Sequence, residues 1–552
     1  MSAGSSIWEK IFLDHTASPT AASKPGLFEK VFMDPPPKPP ARRTPSTRAP
    51  RSDSFFWGMD DVPIRAASRH LLILGTPGSG KTVSIDLFLQ SIAHRFLAPA
   101  PGAQPERLII LDVKGTAYSF LTAQGIPPED IQILDPFDQR SMPWDLSRDI
   151  TTDAAAQRLA ALLVPAEKEG QGKFFWDASQ AIVRAVIISL NTLRPNRWTL
   201  RDLLNVLGSE THLRQLIARV PRAASRVQSF LDNERYFPDF LSTIASSIQA
   251  FETVAGLWHH SKADRAFSVT DWFSNDPARR RHGVLLLAHR QEVIDSVTPL
   301  NALLLRVIAD KLQSMPDVIQ AHTWIVLDEF RWMKQVECMA ELLGVGRSKG
   351  ASILLGIQDI SGLRAVYGPD RAEEILGLCE SKTFLNTSNP ATATWASEYF
   401  GQRESTETKV SHTYSKENST TYSDDIVTRP VYLPGEFLDL AKPEMIPGSR
   451  FEGIHDIPSI GGAYSTDEDA LTIFAMRRNP SPDHLEGFPN RIDRDPGEQN
   501  LMPWTPEESR SFLGTPQPPP PQPADARPAN PARTQSKNPY REFLHNKQRK
   551  EP

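Results

Sequence analysis

The sequence predicts an α/β protein in which a central, mainly parallel sheet is interrupted by an inserted all-α domain. Short aliphatic runs alternate with amphipathic segments in residues 56–148 and again in residues 271–465. Such runs are typical of parallel strands that are buried on both faces. Between them, residues 149–270 lack strand signals and show apolar residues spaced three and four apart, as in helices. Two separate segments of chain should therefore complete one sheet.

Several aliphatic runs in this pattern predict individual strands. They are "HLLILG" (70–75), "RLIILD" (107–112), "GVLLLAH" (283–289), "TWIVLDEF" (323–330), "ASILLGIQ" (351–358) and "KTFLNT" (382–387). "KTVSIDLFLQSIAHRF", between the first two runs, predicts a helix. The polar, Ser- and Thr-rich residues 401–428 predict an exposed hairpin or a mobile loop.

Composition limits the remaining possibilities. The 552 residues suffice for two or three domains, but the 48 prolines cluster at the ends and predict disordered arms at residues 1–55 and 466–552. The net charge of −5 excludes a uniformly basic coat for nucleic acid. Cys338 and Cys379 are the only cysteines, which argues against a disulfide framework and favours a reducing cytosol. Because no window approaches the ~18 to 20 apolar residues that cross a bilayer, we expect a soluble, cytoplasmic protein.

A phosphate-binding loop follows the first predicted strand. "GTPGSGKT" fits the pattern G-x-x-x-x-G-K-[ST], and a predicted strand and helix flank it as that pattern requires. Its backbone N–H groups can wrap a phosphate, Lys81 can neutralise phosphate oxygens, and the Thr82 hydroxyl can bind Mg²⁺. The sequence therefore predicts a site for ATP and Mg²⁺. The residues assigned to it are Gly75, Thr76, Pro77, Gly78, Ser79, Gly80, Lys81 and Thr82.

An acid pair, Asp328 and Glu329, ends the strand "TWIVLDEF". A P-loop enzyme needs one acid at a strand end to hold Mg²⁺ and a second to orient or deprotonate the attacking water. Acid pairs at strand ends are common, and it is the phosphate loop upstream that gives this pair significance. We therefore predict that Asp328 binds the metal and that Glu329 acts on the water.

Arg347 and Gln358 flank the strand that follows the acid pair. In ring-shaped P-loop motors an arginine from the neighbouring subunit contacts the γ-phosphate, and a polar residue at the tip of the next core strand senses phosphate loss. Arg347, on a turn between Gly346 and Gly350, suits the first role, and Gln358 suits the second. On spacing alone, Arg347 could equally be a solvated side chain and Gln358 a polar strand end.

The order of motifs over residues 56–465 resembles the type IV secretion coupling proteins. The motifs are "GTPGSGKT", "LDVKG", "LDPFDQRSMPWDL", "FFWDASQAIVRAVI", "FSVTDWF", "VLDEF", "GRSKGASILLGIQDISGLRAVYG" and "PVYLPGEFLDL". This resemblance implies a RecA-like, ring-forming ATPase, typically a homo-hexamer, that recruits a relaxase-bound DNA strand into a secretion channel. It also implies that Lys81, Glu329, Arg347 and Gln358 are catalytic, with Arg347 acting in trans. The all-α insertion would lie at the mouth of the ring and recognise substrates.

Some motif residues keep two interpretations. Asp112 and Lys114 in "LDVKG" either lie near the nucleotide or form an ordinary turn, and His70 matches a family histidine for which we expect a structural role. Three tryptophans in the insertion could stack on nucleic-acid bases. We interpret them instead as part of the core between helices. They are Trp176, Trp198 and Trp258.

The N-terminal arm departs from the family, whose members usually begin with two transmembrane helices. It carries a near-duplication instead, "IWEKIFLDH" (7–15) and "LFEKVFMDP" (27–35). We hypothesise that this pair docks onto a separate membrane or channel component and holds the protein peripherally at the inner face of the membrane. The alternative is incidental similarity in a disordered tail.

Two other functions fit the same residues. One is a HerA/FtsK-like DNA translocase that acts within the cell, and the other is an ATP-switched recruiter of protein substrates. An inactive scaffold is disfavoured because the phosphate loop, both acids, Arg347 and Gln358 are all intact.

Overall fold

The computed structural model describes residues 54–57, 60–97, 106–165, 172–261, 266–274, 283–288, 294–318, 322–413, 419–443, 450–456, 471–477 and 491–514. The duplicated N-terminal motif and the Pro-rich end of the tail lie outside these residues. The chain divides into two compact units, Met1–Pro503 and Trp504–Pro552. Among the residues that the structure describes, no helix combines the length and apolar character needed to span a bilayer.

The strands of the first unit, in chain order, form a short hairpin, a central sheet and a second, longer hairpin. They are β1 (Ser54–Trp57), β2 (Asp60–Pro63), β3 (Leu71–Leu74), β4 (Arg107–Asp112), β5 (Ile131–Leu134), β6 (Val284–Ala288), β7 (Thr323–Leu327), β8 (Ala351–Ile357), β9 (Ser381–Leu385), β10 (Gln402–Thr413), β11 (Ser419–Pro430), β12 (Arg450–Asp456) and β13 (Leu471–Arg477). All the strands predicted from aliphatic runs are present. The interval predicted as tail from residue 466 contains β13.

The central sheet has nine strands in the order β13-β12-β9-β3-β8-β7-β4-β6-β5. Every pairing from β9 to β5 is parallel, whereas β12 pairs antiparallel with both β9 and β13. Each residue of β3, β7 and β8 is buried, as expected for strands that helices cover on both faces. The predicted α/β architecture with a mainly parallel sheet is therefore confirmed.

The helices of the first unit surround the sheet and form the insertion. They are α1 (Lys81–Ile92), α2 (His94–Leu97), α3 (Ala117–Ala123), α4 (Leu146–Asp149), α5 (Asp153–Leu163), α6 (Lys173–Leu193), α7 (Leu200–Leu207), α8 (Glu210–Ala218), α9 (Pro221–Leu231), α10 (Phe237–His259), α11 (Val269–Trp272), α12 (Ile294–Gln313), α13 (Met339–Gly346), α14 (Ile360–Tyr367), α15 (Pro369–Leu378), α16 (Pro390–Phe400) and α17 (Pro434–Asp439). In the second unit the structure describes one helix, α18 (Pro506–Leu513).

The helices α4 to α11 contain the core that their apolar spacing predicts. Trp198 and Trp258 are buried, and the Trp198 indole N–H donates to Asn191 Oδ1 at 2.8 Å. The interpretation of these two tryptophans as helix core is thus confirmed, while Trp176 is only partly buried. Local sequence also sets the helix starts, since the Thr199 hydroxyl and the Asp202 carboxylate form a capping box at the beginning of α7.

The β10–β11 hairpin confirms the exposed hairpin predicted for the polar segment. Its strands pair over twelve residues each and belong to no larger sheet in the described part of the chain. Tyr422 and Ile426 lie on one face of β11 and are 57% and 72% exposed.

A segment of residues 491–503, which we call the clasp, connects the sheet domain with the inserted helices. The buried Arg494 guanidinium donates to the carbonyl oxygens of Asp138 at 3.1 Å and Leu257 at 3.0 Å. From the inserted helices, the buried Arg201 donates to the carbonyls of Met502 and Pro503, both at 2.8 Å. The clasp lies in the interval predicted as tail. The sequence analysis missed it because polar contacts with residues far away in sequence leave no local pattern.

We predict that Arg494→Ala destabilises the protein by about 2–4 kcal/mol, because the buried carbonyls of Asp138 and Leu257 would each lose a charged donor. Thermal unfolding followed by circular dichroism measures the effect. Arg364→Ala is the control: it removes a half-exposed ion pair with Glu373 and should cost about 1 kcal/mol or less. Equal losses in the two variants would contradict a stabilising role for the clasp.

Candidate functional site

The phosphate loop lies at the carboxyl edge of the sheet, between β3 and α1. The Gly75 N–H donates to the Ile357 carbonyl at 3.1 Å, and the Thr76 N–H donates to the Asn386 carbonyl at 3.0 Å. These bonds attach the loop to the ends of β8 and β9. Gly80, which precedes α1, has φ of 101°, a left-handed conformation that glycine adopts without strain. The loop is therefore held in place before any phosphate binds.

The middle of the loop is open to solvent on one side. Pro77 and Gly78 are exposed, whereas Ser79 is buried and its N–H donates to the Thr76 carbonyl at 3.0 Å. The N–H groups of the first turn of α1 have no acceptors within the helix. Together with Lys81, they give the loop a positive partial charge that suits a phosphate group.

Lys81 connects the loop to the acid pair at the end of β7. Its ammonium donates to Asp328 Oδ1 at 2.9 Å and also to Glu329 Oε1. The Lys81 side chain is 6% exposed and the two carboxylates are each 14% exposed. Burial places the three charges in a medium of low polarity, where the cation between the two carboxylates offsets their repulsion.

Asp328 and Thr82 are close enough to be two ligands of one metal ion. The Thr82 hydroxyl lies 3.4 Å from Asp328 Oδ2. Neighbouring ligands of an octahedral Mg²⁺ ion, each about 2.1 Å from the metal, are on the order of 3 Å apart. The residues present therefore fit Mg²⁺, and the structure places both predicted metal ligands at one point.

Glu329 has the geometry of a residue under functional constraint. Its φ of 54° and ψ of 48° are left-handed, which is uncommon for a residue with a side chain. Oε2 of its carboxylate is buried and accepts no hydrogen bond from the described residues. One carboxylate oxygen is thus available for a water molecule.

Gly356 is a site residue that the sequence analysis missed. It lies in β8 beside the acid pair, and a Cβ atom there would be 2.7 Å from Asp328 Oδ1 and 3.4 Å from Lys81 Cδ. Any side chain would displace the predicted metal ligand. The signal was present, since glycine inside an otherwise aliphatic strand often marks a close approach of another group.

Lys114 and Asp112 have different positions in the "LDVKG" turn. The Lys114 ammonium donates to the Thr82 hydroxyl at 2.7 Å, so it lies at the candidate site. Asp112 accepts the N–H groups of Thr116 and Ala117 at the start of α3, and burial raises the pKa of its carboxyl group. The structure thus places the lysine, and not the acid, next to the phosphate loop.

Gln358 and Arg347 lie at opposite ends of strand β8. Gln358 directly follows β8, whose last residue, Ile357, binds Gly75 of the phosphate loop. Arg347 precedes the same strand, and the seven residues of β8 span roughly 20 Å. The structure therefore brings Gln358 to the edge that carries Lys81 and keeps Arg347 away from its own loop.

His70 has the structural role that we expected. Its Nε2 lies 2.6 Å from the Leu343 carbonyl, and its Nδ1 accepts the Ile353 N–H at 3.1 Å. These contacts require a neutral ring that donates from Nε2. Burial lowers the pKa of His70 from 6.5 to about 4, which keeps the ring neutral at physiological pH.

Comparisons with known proteins identify a family. A family model for the type IV secretion-system coupling protein DNA-binding domain matches residues 58–447. The coupling protein TraD of Escherichia coli strain K12 is 23% identical over 358 residues, which cover 64% of this chain and 47% of TraD. The chain thus spans about half the length of that relative.

Solved structures of bacterial coupling proteins share the fold. The conjugative coupling protein TrwBdeltaN70 has a TM-score of 0.60 and 19% identity, covering 81% of this chain and 92% of that one. TrwB in complex with ADP and Mg²⁺ has a TM-score of 0.60 and 19% identity over 82% of this chain and 96% of that one. These likenesses confirm the RecA-like fold class predicted from the sequence.

We predict that Gly356→Ala lowers nucleotide turnover about 100-fold, since displacing a catalytic group by about 1 Å has an effect of that size. Nucleotide binding should persist because the phosphate loop is untouched. Steady-state hydrolysis and binding of a fluorescent nucleotide measure the two effects. Gly377→Ala is the matched control, because a Cβ at Gly377 meets nothing within 4 Å. Unchanged turnover in Gly356→Ala would exclude tight packing at the acid pair.

We also predict a pH dependence of stability from His70. Its pKa is about 4 when folded and 6.5 as the ordinary value, so below pH 6.5 the unfolded state binds a proton that the folded state does not. This contribution to the free energy of unfolding is present in full above pH 6.5. As the pH falls toward 4, up to about 3 kcal/mol of it is lost. Melting temperatures between pH 7.5 and 5 should fall less steeply in His70→Gln, and an identical slope would contradict the assignment.

Proposed function

Because this chain belongs to the type IV secretion-system coupling protein family, we propose that it is an ATPase that moves DNA into a secretion channel. The observation that carries the proposal is the convergence of Lys81, Thr82, Asp328 and Glu329 at one edge of the sheet. Structures of the relative TrwB in complex with ADP and Mg²⁺, and with the ATP analogue ADPNP, support the choice of nucleotide.

The phosphate loop and its neighbours would bind ATP with Mg²⁺. Thr82 and Asp328 would hold the metal ion, which when bound offsets negative charge on the phosphate groups. In the structure the Lys81 ammonium bonds to both acids. On binding of the phosphates Lys81 would turn toward their oxygens, and Glu329 would be released from its bond to the ammonium.

Glu329 and Gln358 would then act at the γ-phosphate. Glu329 would orient the attacking water and accept its proton, which its unpartnered Oε2 and its fixed backbone favour. Gln358, at the tip of β8, would detect whether the γ-phosphate is present. Because β8 also leads back to Arg347, the loss of phosphate could be passed to the opposite edge of the same subunit.

Arg347 would complete the site of a neighbouring subunit. It cannot reach its own phosphate loop across the length of β8, and its side chain is 47% exposed. An arginine supplied in trans stabilises charge in the transition state and typically contributes 10³–10⁵ in turnover. The arrangement supports a ring, and a homo-hexamer is the assembly that we propose.

The substrate would be a DNA strand joined to a relaxase, delivered to the channel of a type IV secretion system. The description of the matching family model as a DNA-binding domain supports the nucleic acid. We assign residues 56–148 and 271–465 to the motor domain and residues 149–270 to substrate recognition. Residues 1–55 would form the tether to a membrane or channel component, and the part of residues 466–552 outside β13 and the clasp would form the tail.

Steady-state ATP hydrolysis with and without single-stranded and double-stranded DNA tests the proposal. We expect DNA to stimulate turnover, and Lys81→Ala and Arg347→Ala each to lower it by at least about 100-fold. A 1:1 mixture of the two variants should regain activity, because Lys81→Ala subunits supply Arg347 to intact loops of Arg347→Ala subunits. In a random ring about a quarter of the interfaces have this arrangement.

Other outcomes would redirect the proposal. Turnover that ignores DNA would favour a recruiter of protein substrates. Loss of activity in Arg347→Ala without recovery in the mixture would show that Arg347 does not act between subunits.

A further inference from the structure

The turn that carries Arg347 is rigid. Its last residue, Gly350, has φ of 76°, and a Cβ there would lie 2.6 Å from Val318 Cγ2. The Val318 N–H donates to the Ser348 carbonyl at 2.8 Å. This bond, and the bond from the His322 N–H to the Gly350 carbonyl at 2.9 Å, fix the backbone of the turn against the chain segment that precedes β7. The position of the arginine Cα is thus set by the fold, and only the side chain remains to be oriented.

Glu380 orients the Arg347 side chain. Its Oε1 accepts a hydrogen bond from Arg347 Nη1 at 2.5 Å. A guanidinium has five N–H donors, so one bond to Glu380 leaves several donors for a phosphate. Immobilising a free arginine side chain costs rotamer entropy. A carboxylate that holds the guanidinium in advance lowers this cost at the moment when the neighbouring nucleotide arrives.

Glu380 is itself fixed by Arg69. The Glu380 N–H donates to the Arg69 carbonyl at 2.9 Å, and the Arg69 guanidinium donates to Glu380 Oε2 at 3.0 Å. One residue thus holds Glu380 through both its backbone and its side chain. The cluster of Arg69, Glu380 and Arg347 carries a net positive charge, which attracts an anionic ligand to this surface.

From these contacts we propose that Glu380 is a positioning residue for Arg347, which it holds toward the nucleotide of the neighbouring subunit. The inference rests on the proposed function, since Arg347 needs positioning only if it acts at a second subunit's site. Arg69 and His70 lead directly into β3 and the phosphate loop. The arginine offered to the neighbour is therefore fixed to the strand that carries the subunit's own site.

The test compares the full-length chain with Glu380→Ala and Glu380→Gln in DNA-stimulated ATP hydrolysis. We expect Glu380→Ala to lower kcat about tenfold while KM for ATP stays within about twofold, because its own phosphate loop is intact. Glu380→Gln keeps an acceptor for Arg347 and should have an intermediate kcat. If Glu380→Ala fails to fold, as judged by circular dichroism, Glu380→Gln alone carries the test.

Two further measurements separate positioning from a general structural effect. A mixture of Glu380→Ala with Lys81→Ala should regain activity, because the defect lies on the arginine side of the interface. The double variant Arg347→Ala/Glu380→Ala should be no slower than Arg347→Ala, since both changes remove one interaction. Glu373→Ala is the matched control: it removes a similarly exposed ion pair, with Arg364, and should leave kcat unchanged.

The outcomes distinguish this inference from the proposed function. A kcat of Glu380→Ala equal to or above that of the unmodified chain, or a loss that adds to that of Arg347→Ala, would overturn the role of Glu380 alone. Full activity of Arg347→Ala would overturn the trans role of Arg347 and the inference with it.

Discussion

The buried contact between the Lys81 ammonium and the carboxylates of Asp328 and Glu329 is the interaction on which the site depends. Two carboxylates on successive residues repel each other most where water is scarce, and a cation between them offsets this repulsion. Lys81 provides that cation in the structure, and under the proposed function a bound metal ion would add further positive charge beside Asp328. The strands of the sheet keep these groups in contact, and Gly356 has no side chain that would displace Asp328.

The sheet order explains how a large helical insertion coexists with this site. The chain leaves the sheet after β5 and returns at β6, and these two strands form one edge of the sheet. The strands that carry the phosphate loop, the acid pair and Gln358 are β3, β7 and β8, which are adjacent near the centre. The insertion therefore joins the sheet away from the strands that carry the candidate site. Through Arg494, the clasp attaches the inserted helices to the loop after β5.

The sequence predicted the elements that depend on a short, continuous stretch of residues. The aliphatic strands, the phosphate loop and the acid pair each follow from a short continuous pattern. By contrast, β5 has only four residues and includes Gln132, while β12 and β13 become strands through pairing with distant segments. The roles of Gly356, Glu380 and Arg494 also depend on partners far away in sequence. Arg347 was identified by pattern and resemblance, but only the length of β8 shows that it cannot act within its own subunit.

Arg347 and the phosphate loop lie at opposite ends of β8, and this has a consequence for the symmetry of an assembly of subunits. A two-fold dimer joins identical surfaces, so it would complete its sites only if one surface patch held both the loop and the arginine, which lie at opposite ends of β8. Under the proposed assignment, each head-to-tail contact completes one site, and an open chain of subunits always has one loop without an arginine. Closing the circle removes that last incomplete site. Catalytic output per subunit would then rise with closure, which gives the assembly a functional reason to be cyclic.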